Sequence, residues 1–202
     1  MDYKIKTISD TSEIGKGNVV DVDIYNWGSD YRPEVKAVLC YVKDQGFLIR
    51  MSTKEKDPLS VQTEPNSAVC TDSCLEFFAN FKPAIAGSGY INFEVNSIGT
   101  TLSFYGPDRF SRTSLVDLGI MHPTPRAFKT EDEWGWEYLI PLATIERVYG
   151  NAEFKTGDVI RANFYKCGDN TAIPHYASFT KIDIDHPDYH CPAFFADMEI
   201  VD

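Results

Sequence analysis

The sequence has few basic residues, no long apolar run and little that favours helix. Lys and Arg number 19 against 30 Asp and Glu among 202 residues, so the formal net charge is −11. Nucleic acid and anionic membranes bind surfaces rich in Lys and Arg, so we expect neither as a partner. No apolar run approaches the length of a membrane-spanning helix. The first residues lack the charged and apolar regions of a signal peptide, which predicts a cytoplasmic protein unless an export segment has been trimmed.

Disulfide and metal signatures are also missing. The five cysteines are Cys40, Cys70, Cys74, Cys167 and Cys191. Their odd number favours a reducing compartment over a disulfide framework, and their spacings match no zinc motif. His186 and His190 have a spacing that would share a helix face, but Pro187 and Pro192 break any helix there. We therefore predict no metal ligands and expect most thiols to be small buried side chains.

What the sequence does contain is typical of a folded β protein. Hydrophobic residues make up 43% of the chain and aromatic residues 13%. A chain of this length buries roughly 70% of its unfolded surface, enough for a full core. Apolar runs with alternating polarity predict eight strands at 35–42, 46–53, 75–81, 89–98, 101–105, 134–142, 159–166 and 196–201. Only residues 142–149, followed by Gly150, have helical spacing.

These patterns predict one domain spanning residues 1–202. Many short strands with intervening loops indicate an all-β fold, a β-sandwich of jelly-roll-like or immunoglobulin-like two-sheet architecture with one short helix. Residues 54–71 and 106–133 are predicted as long loops, and loops of that length inside a compact domain are usually functional.

Polar side chains alternate along three of the predicted strands and define one face. Side chains two apart on a strand point to the same side, so each strand contributes a row. We name this set the polar face; it consists of Glu76, Asn92, Glu94, Asn96, Arg161, Asn163 and Tyr165. A merely solvated sheet face would give the same alternation, although it would usually carry Lys, Glu and Thr. Amides, a phenol and a guanidinium are directional donors and acceptors, which suits the hydroxyl groups of a sugar.

Further candidates lie outside these rows. Arg109 and Arg112 are a close basic pair in a long loop, and they would either bind sugar hydroxyls or balance the acidic surface. Trp134 and Trp136 project to the same side of a strand, where core packing is favoured for at least one and a stacking platform for the other. His175 is predicted at a surface or rim, with sugar contact as the second interpretation.

Several motifs together resemble carbohydrate-binding module family 9 and its stand-alone bacterial relatives. They are TDSCLEFF at 71–78, GYINFEVNSIGT at 89–100, Trp136-Glu137 with Ile140-Pro141, Gly157-Asp158 with RANFY at 161–165, and Ser178-Phe179 through His190, Pro192 and Phe195. They occur in register from about residue 70 to the end.

The resemblance implies a β-sandwich that binds a mono- or oligosaccharide, often at a chain end, without cleaving it. Family members clamp a sugar ring between two aromatic side chains. By position, Glu76 matches the acidic ligand contact and Asn96 lies close to another polar contact. The chain departs from the pattern at Cys70, where an aromatic residue is common, and at Phe179, where Trp is frequent. The resemblance also allows for structural calcium, with no residues assigned, and for a separate carbohydrate-active enzyme as partner.

Two other functions stay open on the sequence alone. A glycoside hydrolase would use Glu76 with a second carboxylate, Glu94 or Asp72. A nearby Arg161 would keep Glu76 ionised, which argues against a proton-donating catalytic acid. A protein-interaction sandwich with a lost sugar site is the third interpretation, and it rests on the departures at Cys70 and Phe179.

Overall fold

A computed structural model describes residues 3–28 and 30–202, and this part of the chain is mostly β. It contains fourteen strands and one α-helix. The strands are β1 (Tyr3–Ile8), β2 (Val19–Asp21), β3 (Ile24–Gly28), β4 (Val35–Val42), β5 (Gly46–Thr53), β6 (Cys74–Asn80), β7 (Tyr90–Asn96), β8 (Thr101–Gly106), β9 (Thr113–Ser114), β10 (Arg126–Lys129), β11 (Trp134–Pro141), β12 (Val159–Cys167), β13 (His175–Ser178) and β14 (Ala196–Val201). The helix is α1 (Leu142–Tyr149), and short 3₁₀ turns cover Thr11–Lys16, Val69–Thr71 and Pro192–Phe194.

The strands of the described residues join into one hydrogen-bonded sheet rather than the two separate sheets predicted. Its order is β10-β11-β5-β4-β1-β14-β12-β6-β7-β8-β9, with β2, β3 and β13 attached at the sides. The sheet curls so that its two ends face each other across the core. Trp136 Nε1 on β11 donates to the Leu75 carbonyl oxygen on β6 at 3.2 Å. The rings of Phe47 on β5 and Phe81, which follows β6, lie 5.1 Å apart.

Strand β1 is what makes the sheet continuous. It pairs in parallel with β14 on one side and with β4 on the other. Its sequence alternates polar and apolar residues, and Ile5 is fully buried. This short strand with two lysines has a weak strand signal, and the sequence did not predict it. Without β1, the remaining strands would form two separate sheets.

The single helix matches its sequence prediction. Residues Leu142–Tyr149 are helical, and Gly150 follows with φ of 70°. Only glycine adopts this left-handed conformation without steric cost, so Gly150 ends the helix where expected.

Strands β6, β7 and β12 separate two hydrophobic clusters. One side chain row, with Leu75 and Phe77 of β6, enters the main core. The opposite row, with Cys74 and Phe78, packs under the segment between β13 and β14, which contributes Ile182, Tyr189 and Phe195. The predicted polar face is therefore covered by chain over much of its area, and this cover shapes the site described next.

Candidate functional site

The register of three strands brings two carboxyl groups side by side. Strand β6 pairs with β7 and β12, so Glu76 lies opposite both Glu94 and Tyr165. The sequence predicted that Glu76, Glu94 and Arg161 would share one sheet surface with amides and a phenol if their strands were neighbours. The strands are neighbours, and the phenol beside Glu76 is that of Tyr165. Glu76 is 2% exposed and Glu94 is 4% exposed.

A cavity opens between these carboxyl groups and the covering segment. Its volume is about 90 Å³, and it is partly open to solvent. Its lining includes many charged and polar side chains and comes from β6, β7, β12, β13 and four loops. The lining residues are Cys70, Glu76, Glu94, Arg109, Cys167, Asp169, Tyr176, Pro187, Asp188, Tyr189 and His190.

Burial changes the protonation of both carboxyl groups. It raises the pKa of Glu94 from 4.5 to about 7, although Arg112 and Arg109 oppose the shift. It raises the pKa of Glu76 well above the ordinary value, and the neighbouring Glu94 adds to the rise. The Cys167 thiol donates to Glu76 Oε1 at 2.8 Å. Near neutral pH the pair therefore holds at least one proton, and a protonated carboxyl group donates as well as accepts.

Two arginines lie at or beside the cavity, and both donate hydrogen bonds that fix its surroundings. Arg109 Nη2 donates to Asp188 Oδ1 at 2.7 Å and so links the loop after β8 to the covering segment. Arg112 Nη1 donates to Asn92 Oδ1 at 3.1 Å, and Asn92 Nδ2 donates to Glu94 Oε1 at 3.0 Å. The sequence predicted both arginines and Asn92 as site residues. Arg109 lines the cavity, while Arg112 and Asn92 form the layer that holds Glu94.

Aromatic contacts fix the covering segment. Tyr189 stacks on Tyr165 with ring centroids 4.2 Å apart, and the Tyr165 hydroxyl donates to the Tyr189 carbonyl oxygen at 3.3 Å. His190 Nδ1 lies 2.8 Å from the Tyr90 hydroxyl oxygen. Burial lowers the pKa of His190 to about 3, so this ring is neutral at physiological pH.

Two predicted amides lie away from the cavity and hold loops instead. Asn96 Nδ2 donates to Asp72 Oδ2 and to the Gln62 carbonyl oxygen, each at 2.9 Å. Asn163 Oδ1 accepts from the Thr180 backbone N–H at 3.1 Å. Both amides are completely buried. Their short polar side chains suit a ligand or a loop equally well, and the sequence has no feature that distinguishes the two uses.

The remaining predicted residues are not brought to the cavity either. Arg161 donates to the Phe195 carbonyl oxygen at 3.1 Å, and Phe179 packs in the core against Phe164. His175 is 1% exposed, and its Nδ1 lies 2.8 Å from the Ile173 carbonyl oxygen, so the predicted rim position is wrong. The other two predicted residues are the tryptophans Trp134 and Trp136.

Both tryptophans lie in the core. Trp134 is 1% exposed and Trp136 is fully buried, so neither presents a ring face to a ligand. They do project to the same side of β11, and core packing describes both. Tyr176, by contrast, lines the cavity on β13 and is only partly buried, and its hydroxyl is hydrogen-bonded to Asp169.

Most cavity residues missed by sequence reasoning lie in loops around the sheet. Asp188, Tyr189 and His190 come from the covering segment, and Asp169 follows β12. The available signal was the density of polar and ring side chains at 185–191. The sequence favours a loop over a metal motif in that stretch, but it does not predict that the loop lies against the polar face.

These features define a mostly β binding protein with one small polar cavity, and the comparisons name its family. A model of Carbohydrate-binding family 9 matches residues 7–200, so the chain belongs to that family. It is a family of non-catalytic carbohydrate-binding modules, which confirms both the resemblance and the expectation that the chain is not an enzyme. No curated protein sequence matches the chain. Within the described residues, no helix has the length and hydropathy needed to cross a membrane.

Solved structures share this fold across nearly the whole chain. A crystal structure of a candidate carbohydrate-binding protein from Bacteroides uniformis has a TM-score of 0.80 and 23% identity, covering 99% of each chain. A family 9 module from Caldicellulosiruptor kristjanssonii in complex with glucose has a TM-score of 0.70 and 10% identity, covering 100% of this chain and 96% of its own. The same organism's family 9 module in complex with cellotriose has a TM-score of 0.67 and 9% identity, covering 99% and 93%.

Proposed function

We propose that the chain binds one sugar residue, free or at the end of an oligosaccharide, in the cavity over β6 and β7. The observation that carries the proposal is the convergence of Glu76, Glu94 and Arg109 on one small pocket. Its volume is about 90 Å³, and it is partly open to solvent. A single pyranose ring suits this size better than a chain lying across the face.

The lining offers both partners that a hydroxyl group needs. A sugar hydroxyl donates one hydrogen bond and accepts others, so it is best held between a donor and an acceptor. Arg109 supplies N–H donors, and Asp169 and Asp188 supply acceptors. The protonated member of the Glu76–Glu94 pair supplies an O–H donor beside its charged partner.

Tyr176 is the aromatic side chain placed to stack on the sugar. It lines the cavity and keeps part of its ring accessible. The two positions where the family resemblance implies a clamp carry other side chains, because Cys70 lines the cavity as a small thiol and Phe179 is buried in the core. We therefore expect one-sided stacking, with more of the affinity carried by hydrogen bonds than in a two-ring clamp.

The carboxyl geometry supports binding without hydrolysis. A glycosidase places its two carboxyl groups on either side of the scissile bond. Glu76 and Glu94 are direct cross-strand neighbours on the same face of the sheet. Both groups would contact a ligand from one side, which suits hydrogen bonding to adjacent hydroxyls.

Calorimetric titration tests the proposal. Glucose, cellotriose and a panel of other mono- and oligosaccharides are titrated, and chromatography afterwards checks that the ligand is intact. We expect binding that Glu76→Ala abolishes and Tyr176→Ala weakens. Glu137→Gln is the matched control, since this partly exposed residue pairs with Arg126 at 3.1 Å on the opposite half of the sheet.

Two outcomes would overturn the sugar site. One is the absence of heat with every sugar while circular dichroism shows folded protein, which would favour the protein-interaction alternative. The other is sugar binding that survives both Glu76→Ala and Tyr176→Ala, which would place the ligand elsewhere on the molecule.

A further inference from the structure

Beside the cavity, two cysteines and a glutamate converge in a way that sugar binding does not require. Cys74 and Glu76 lie two residues apart on β6 and so point to the same face. Cys167 on β12 is the register partner of Cys74. The two Sγ atoms and a Glu76 carboxylate oxygen all lie within 4.8 Å of one another. All three side chains are almost completely buried.

We propose that Cys74, Glu76 and Cys167 form a binding site for a thiophilic divalent metal ion such as Zn²⁺. Zinc in proteins is bound by thiolates at about 2.3 Å and by carboxylate oxygens at about 2.0–2.2 Å. Donors around a tetrahedral ion with these bond lengths lie roughly 3.4–3.8 Å apart. For an ion to bind, rotation of the three side chains would have to bring the donor atoms from their present separation to that spacing.

The fourth coordination position would face the cavity. Glu76 and Cys167 both line the cavity, whereas Cys74 lies behind them in the sheet. An ion held by the three side chains is therefore reached from the cavity and keeps one position open to it. That position would take water or a hydroxyl oxygen, as in zinc sites with three protein ligands.

The surroundings can balance the charge of such a site. Binding displaces a proton from each thiol to solvent, and the proton of a protonated Glu76 passes to Glu94 or to solvent, so two thiolates and one carboxylate would face one divalent cation. Lys166 and Arg109 both interact electrostatically with Glu76 and would lessen the cost of the net charge of −1, although each is also paired with another carboxylate, Glu55 and Asp188 respectively. Thiolate donors also select zinc-like ions over calcium and magnesium, which prefer oxygen ligands.

Cobalt(II) titration of the reduced, metal-free protein tests this site without any sugar. Thiolate-bound Co²⁺ gives an intense ultraviolet charge-transfer band, which carboxylate or imidazole ligands alone do not produce. We expect one Co²⁺ per chain, a thiolate band, and loss of the band when Zn²⁺ is added. Cys74→Ser and Cys167→Ser should each remove or strongly weaken the band. Glu76→Gln should weaken Co²⁺ binding, but the bound ion should still give the thiolate band.

Two matched controls keep the assignment specific. Cys40→Ser removes a buried thiol in a different cluster on β4, and Cys191→Ser removes a thiol near the cavity but outside the trio. Both should leave the band unchanged. Circular dichroism checks the fold of every variant, and Cys167→Ala is used if Cys167→Ser does not fold.

The metal site is overturned by any of three results. They are no thiolate band with Co²⁺, a band that survives loss of both Cys74 and Cys167, and a Cys74–Cys167 disulfide that forms in air while the reduced protein binds no metal. None of these results bears on the sugar proposal, since the metal titration contains no sugar and the sugar titration is run in chelator.

Discussion

At the scale of single residues, Glu94 is a buried carboxyl group whose charged form is unfavourable. Its neighbours are Glu76 in the next strand and the amide of Asn92, and it has little contact with water. Burial raises its pKa from 4.5 to about 7. The folded chain therefore binds the Glu94 proton more tightly than the unfolded chain does.

This shift predicts a pH dependence of stability. Between pH 4.5 and about 7 Glu94 holds more protons in the folded state than in the unfolded state, so its contribution to the free energy of unfolding should fall as the pH rises through that window. The lowered pKa of His190 acts in the opposite direction below about pH 6.5, so the effect of Glu94 is measured as the difference between the wild type and Glu94→Gln. Glu94→Gln removes one titrating group and should flatten the fall, although Glu76 continues to contribute. Urea unfolding at several pH values measures the slope.

The exposed Glu64→Gln is the control for that experiment and should reproduce the wild-type slope. The same dependence of the free energy of unfolding on pH in the wild type and in Glu94→Gln would contradict the raised pKa of Glu94.

At the scale of elements, the long segment between β5 and β6 is held by buried side chains. Asp72 Oδ2 accepts from the Gln62 backbone N–H and from Asn96 Nδ2, each at 2.9 Å. Asn96 Oδ1 accepts from the Thr100 backbone N–H at 2.9 Å. One amide thus joins the loop, β6 and the β7–β8 turn, and it supports the stretch that carries Cys70 into the cavity wall.

We expect Asn96→Ala to lower the free energy of unfolding by about 2–3 kcal/mol, because it leaves the buried Asp72 carboxylate with fewer partners. Asn151→Ala should change it by less than about 0.5 kcal/mol, since Asn151 is exposed and accepts one hydrogen bond from the Glu153 backbone. Chemical denaturation measures both. Equal losses in the two variants would show that Asn96 does not hold the loop.

Strands and helix were predicted well where the pattern was local. β4, β5 and β14 have the predicted bounds, and β6, β7, β8, β11 and β12 differ by one or two residues. Alternation along β6 and β7 also identified Glu76 and Glu94. Whether a polar side chain faces the cavity or holds a loop was harder to predict. Asn96 and Glu94 lie on the same face of β7 and are both buried, so only the loop that covers each of them decides its partner.

At the scale of the whole molecule, β1 joins halves of the sheet that come from opposite ends of the sequence. Tyr3 pairs with Met198 on β14, and Ile8 pairs with Val42 on β4. The Tyr3 hydroxyl also accepts from the Leu39 backbone N–H at 2.8 Å. Pairings this distant leave no local pattern in the sequence, which is why the sequence did not predict that β1 joins the two halves into one curled sheet.

We expect Ile5→Ala on β1 to lower the free energy of unfolding by about 3 kcal/mol, because the fully buried side chain leaves a cavity between the two halves. Far-ultraviolet circular dichroism and tryptophan fluorescence should report the same transition, since both halves depend on this strand. Val19→Ala on β2, 60% exposed, should have little effect. Two separate transitions in the wild type would mean that the halves fold independently.

The parallel pairing of β1 with β14 also affects the newly made chain. On a ribosome adding about 5–20 residues per second, roughly 10–40 s separate the synthesis of β1 from that of its last partner. During this interval β1 can pair with β4, but its other edge presents free backbone N–H and C=O groups that another nascent chain can bind. We therefore expect that slowing synthesis of the C-terminal third would increase aggregation of this protein in cells, even where the finished fold is stable.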